Sequence, residues 1–125
     1  MALQITEQEW GTVTVLTLAG RATLGEETSQ LRNRIKAVLG QGKKRVVLDL
    51  GNLAHIDSAG LGTLVSGYYS ATSQGASIKL ANLTKRLEEQ LHLTKLVTVF
   101  ETHSSVEEAV MAFRLEEEPP LERRR

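Results

Sequence analysis

The chain has 125 residues, enough for one domain with a single modest core, and carries 15 Lys plus Arg against 15 Asp plus Glu. That balance gives no support to a nucleic-acid partner, whose phosphates demand a basic excess, and the absence of cysteine excludes disulfides and thiolate metal sites. No apolar run approaches bilayer length and no basic-then-apolar leader is present, so a soluble, cytoplasmic protein with no membrane partner is expected.

Residues 3–9 alternate apolar and polar, and residues 12–18 are rich in Val, Thr and Leu. Trp10-Gly11 between them predicts a hairpin, with Gly20 closing the second strand. Leu31, Ile35, Val38 and Leu39 then mark one face of a helix that Glu26 and Glu27 precede and Gly40 and Gly42 stop. Val46-Val47-Leu48-Asp49-Leu50 reads as a central strand buried on both faces.

A second helix follows, with Leu61, Leu64, Val65, Tyr68 and Thr72 at helical spacing and Gly75 as its stop. Residues 77–81 predict a strand. Thr84 can cap a helix that turns Leu87 and Leu91 inward, and residues 97–100 predict a further short strand. Ser105 and Glu108 have capping-box spacing ahead of Val106, Ala109, Val110 and Phe113. The charged stretch 114–125, with both prolines of the chain, is expected to be a flexible tail to a domain spanning residues 1–113. The order β-β-α-β-α-β-α-β-α argues for a mixed sheet covered by about four helices.

The segment His55-Ile56-Asp57-Ser58-Ala59-Gly60-Leu61-Gly62 holds the chemistry. Asp57 or Ser58 at a helix N-cap is worth about 1 kcal/mol. Gly60 and Gly62 in the first turns cost up to about 1 kcal/mol each relative to alanine, so another backbone is expected to come close, inside the fold or on a partner. No charge occurs between Asp57 and Lys79. Ala59, Thr63, Ser66, Ser70 and Ser73 are expected on the outer face, open to a partner or covered by a neighbouring helix. His55, Asp57 and Ser58 lie too near each other in sequence for a hydrolytic triad, and Ile56 replaces the first glycine of G-x-S-x-G. Neither G-K-[ST] nor G-x-G-x-x-G is present, and His55, His92 and His103 have no metal-ligand spacing. No catalytic residue, cofactor or metal is expected.

V-V-L-D-L followed by I-D-S-A-G-L-G resembles the core motif of STAS domains, in particular the bacterial anti-sigma-factor antagonists, with the element order matching from Leu3 to Phe113. The resemblance implies an α/β fold of the SpoIIAA kind: a mixed sheet with an N-terminal hairpin and helices packed on it. It implies a non-enzymatic signalling protein that regulates sigma-factor-dependent transcription, with Ser58 as phosphoacceptor. The implied partners are an anti-sigma factor that is itself a serine kinase, bound when Ser58 is unmodified, and a PP2C-type phosphatase. A scaffold subunit of a larger signalling complex is the alternative, and a monomer or weak dimer is expected. The expected contact surface comprises Thr23, Asp57, Ser58, Ala59, Gly60, Leu61, Gly62, Thr63 and Ser66. Ala59 stands where the family often has a second hydroxyl, and Arg21-Ala22-Thr23 follows Gly20 where many members have an acid. Thr23 or Thr28 is a candidate second modification site.

Overall fold

The computed structural model describes residues 2–117. β1 (Gln4–Trp10) and β2 (Val13–Ala22) form an antiparallel hairpin, with Gly11 at φ 67° in the two-residue turn. The chain continues as α1 (Glu26–Gly40), β3 (Arg45–Ile56), α2 (Ser58–Ser73), β4 (Ser77–Ala81), α3 (Lys85–Leu93), a 3₁₀ turn (Leu96–Thr98), β5 (Glu101–His103) and α4 (Val106–Glu117). The five strands lie in chain order in one sheet, and β2 through β5 are parallel. Right-handed crossovers that step in one direction across a sheet leave their helices on one face. Leu31 and Ile35 of α1, Leu61 and Leu64 of α2, and Leu87 and Leu91 of α3 accordingly share one core with Leu16, Leu48 and Leu80.

Among the described residues the opposite face has a single cover, α4. Val106, Ala109, Val110 and Phe113 of α4 pack on Val13, Val15, Val47 and Ala81, with Trp10 at the margin. Ser105 starts this helix as its sequence predicts: its Oγ accepts from Glu108 N at 3.0 Å, while Glu108 Oε1 accepts from Ser104 N at 3.3 Å. Lys79, in mid-strand β4, is buried beneath α4 with its Nζ 4.5 Å from the Phe113 ring centre. Its charge is met by Glu101 at 2.7 Å and Glu116 at 2.6 Å, both about half exposed. Hydration already supports those two acids, and an apolar stem of similar length can replace a buried cation without loss. Lys79→Met is therefore expected to leave the thermal midpoint unchanged or raised, whereas Lys79→Ala, which removes the packed stem, lowers it.

Four expectations are corrected. Gly20 does not close β2: at φ 100°, with irregularities in register on either side of it, it lets the strand run on to Ala22. A Cβ there would stand 2.2 Å from the Ala2 carbonyl oxygen. β3 likewise continues past Leu50 to Ile56, paired with the β2 extension at Ala19–Asn52, Gly20–Leu53, Arg21–His55 and Ala22–Ile56. The strand expected at 97–100 is the 3₁₀ turn, and the pairing falls on the polar Glu101–His103 instead. Residues 114–117, expected in the tail, continue α4, and Glu117 accepts from Thr12 Oγ1 at 2.9 Å. The rest of the expected tail, 118–125, lies outside the described residues.

Candidate functional site

The joined extensions of β2 and β3 carry the Ser58 segment to the C-terminal end of the parallel strands, the end at which open α/β sheets present their ligand sites. Asp57 stops the strand and starts the helix. Its backbone is extended, and its Oδ1 accepts from Gly60 N at 2.9 Å, which satisfies one free amide of the first turn. Its Oδ2 accepts from Leu24 N at 3.0 Å, so one carboxylate braces the 23–25 loop against the head of α2. The Asp57 amide in turn donates to Ala22 O at 3.4 Å.

These bonds favour the charged form. The Leu24 amide first, then the Gly60 amide, hold the Asp57 carboxyl below its ordinary value. A depressed folded-state value means that the brace contributes stability above the unfolded carboxylate's pKa and loses it as pH falls through the folded one. In an NMR titration the Leu24 and Gly60 amide resonances should move together with a midpoint below 3.8, the unperturbed value. Independent midpoints, or a common one at or above 3.8, would show that the carboxylate does not bridge the two segments.

Ser58 is the first residue of α2, exposed, and its hydroxyl makes no hydrogen bond among the described residues. The two glycines behind it divide the explanations that the sequence left open. A Cβ on Gly60 would lie 2.2 Å from Ala22 O and 2.6 Å from Ile56 Cγ1, so this glycine is required by the protein's own backbone. A Cβ on Gly62 would meet nothing within 4 Å. Its cost to the helix has no return inside the fold.

The residues of the expected contact surface differ in exposure. Gly60, Leu61 and Thr63 are buried; Thr63 turns its hydroxyl back to Ala59 O at 2.9 Å. Gly67 packs against Ile35 of α1, so a neighbouring helix covers that position of α2. Ser58, Gly62 and Ser66 remain exposed along one edge, with Ala59 and Asp57 half-buried. Thr23 is half-buried with its hydroxyl 3.5 Å from Glu27 Oε1. Thr28 is buried and bonded to Gly25 O at 3.0 Å, which removes it as a modification site in this conformation.

Sequence reading missed Leu24. It is 78% exposed and is fixed beside the head of α2 by its amide bond to Asp57. The available signal was an apolar residue, between Thr23 and Gly25, that fits neither the strand nor the helix pattern. On the other flank Gln90 of α3 donates to Ile56 O at 3.1 Å, and Leu93, one turn on, is 84% exposed. A neutral hydroxyl therefore stands at a positive helix end, set in a surface with protruding leucines and small side chains. His55 is exposed near the end of β3. Among the described residues no group of three His, Asp or Glu side chains could hold a metal, and no helix is long and apolar enough to cross a membrane.

A mixed sheet in this order, with three helices on one face, a fourth on the other and a serine at a capped helix head, defines a class of small α/β domains. The family model described as "Mlab, STAS domain" matches residues 5–101. BtrV of Bordetella bronchiseptica, which carries the name of an anti-sigma factor antagonist, is 31% identical over 85 residues, covering 68% of this chain and 73% of that one. The protein belongs to the STAS domain family. Among solved structures, TM1081 of Thermotoga maritima superposes at a TM-score of 0.82 with 22% identity, over 88% of this chain and 94% of that one. The anti-sigma factor antagonist SpoIIAA in its unphosphorylated form superposes at 0.69 with 17% identity, over 94% and 100%. These likenesses show the fold, as the Ser58 motif led the sequence to predict.

Proposed function

We propose that this protein is an anti-sigma-factor antagonist switched at Ser58. Unmodified, it binds an anti-sigma factor that is also a serine kinase, through Leu24, Ser58, Gly62 and Ser66. Phosphorylation of Ser58 releases that partner, and a PP2C-type phosphatase restores the binding form. The observation that carries the reading is the Ser58 hydroxyl: exposed, without a hydrogen bond, at the first position of a long helix. Support comes from the name of the relative BtrV and from SpoIIAA, whose structure is solved in both unphosphorylated and phosphorylated forms.

Immobilised wild-type protein should capture the anti-sigma kinase from host lysate and release it on addition of ATP, with one phosphate on the Ser58 peptide by mass spectrometry. Ser58→Ala should capture and not release. Release from Ser58→Ala, or ATP treatment that leaves the Ser58 peptide unmodified, would overturn the switch.

A further inference from the structure

The groove between α1 and α2 holds charge that the fold does not use. Arg32 and Lys36 of α1 form one wall, and Thr63, Ser66, Gly67 and Ser70 of α2 the other, around a volume of about 160 Å³. Neither cation forms an ion pair among the described residues. Glu7 takes Arg34 and Lys43, Glu9 also takes Lys43, and Glu117 takes Arg45. Among the described residues no carboxylate lines the groove, and α2 contributes no charge at all. Two like charges one turn apart repel each other on a helix surface, so an external anion between them is favoured. The volume is below the roughly 300–1,000 Å³ of drug-sized ligand sites, which argues for a side chain reaching in. Ser66 is common to this groove and to the exposed edge that begins at Ser58.

We infer that the groove receives carboxylates from an acidic segment of the anti-sigma factor; this deepens, and rests on, the function proposed above. Ser58 and Ser66 are about 12 Å apart by helical rise, beyond the screening length of roughly 8 Å at physiological salt, so the groove and a phosphate on Ser58 act separately on the partner.

The test uses the kinase captured by the wild-type chain, purified, and measures its binding to wild type, to Arg32→Glu/Lys36→Glu and to Arg34→Glu. The double variant should bind about 10–100-fold more weakly, mostly through a slower association rate, and should lose most of the salt dependence. Arg34→Glu, on the Glu7 side of α1, should bind like wild type. Matching melting curves establish that the double variant is folded. Undiminished binding by the folded double variant overturns the acidic-segment reading and leaves the Ser58 switch standing. Failure of wild type and Ser58→Ala to capture any kinase overturns both. Saturation of the Arg32, Lys36, Ser66 and Ser70 amide shifts by submillimolar inorganic phosphate would assign the groove to a free anion and overturn it as well.

Discussion

Phosphate on Ser58 is expected to weaken binding of the anti-sigma kinase by about a hundredfold or more while leaving the fold intact. The modification adds roughly −1.5 to −2 charges at the head of α2. Free first-turn amides and the helix dipole favour an anion there by ~0.3–2 kcal/mol. Asp57 opposes it; at about 6 Å and an effective dielectric of 20 to 80 the repulsion is roughly 1–5 kcal/mol. These contributions partly cancel inside the protein, and Ser58 is exposed, so water solvates the phosphate. A partner seated on Leu24, Gly62 and Ser66 removes that water, at several kcal/mol unless it supplies a cation, and each 1.4 kcal/mol is about tenfold in affinity. Isothermal titration and thermal melting of the enzymatically phosphorylated protein measure both halves. Unchanged affinity would refute the release mechanism, and a collapse of the melting transition would show that the phosphate acts by unfolding.

Gly60→Ala is expected to destabilise the protein by about 3 kcal/mol or more, lowering the melting midpoint by roughly 10 °C. The new methyl would collide with Ala22 O, a backbone atom that already accepts from the Asp57 amide, so relief requires separating β2 from the head of α2. That movement also strains the bond from Leu24 to Asp57 and misplaces Ser58. Gly62→Ala should do the reverse. With no neighbour in the way it should gain up to about 1 kcal/mol of helix stability. It should also weaken kinase capture, because the partner then meets a methyl where it found bare backbone. Equal melting of the two variants would remove the distinction between an internal and an external reason for these glycines.

The strand and helix order was legible because the hydrophobic periods of the segments differ and most boundaries carry a cap or a glycine. Thr84 accepts from Leu87 N at 3.1 Å, and Ser105 caps α4, as their spacing requires. The extensions of β2 and β3 were not legible. Gly20, Gly51 and Asn52 read locally as breakers, and only the pairing of one extension with the other keeps both extended. The contact surface was half legible for the same kind of reason. The uncharged run on α2 marks a face that avoids solvated charge, but it does not say that Ile35 of α1 fills the side at Gly67 while Gly62 stays bare. Lys79 shows the limit most clearly. A lysine in a strand reads as a solvent-facing residue, and its burial depends on Phe113 and Glu116, more than thirty residues later in the chain.

That distance also bears on synthesis. When a growing chain has left the ribosome as far as His103, all five strands are available, yet Val13, Val15, Val47 and Ala81 are still bare. Domains emerging from the N-terminus begin to fold before translation ends, and uncovered apolar surface is what nascent chains lose to aggregation. The arrival of α4 ends that interval, so the exposure to aggregation lasts as long as the docking of one helix takes.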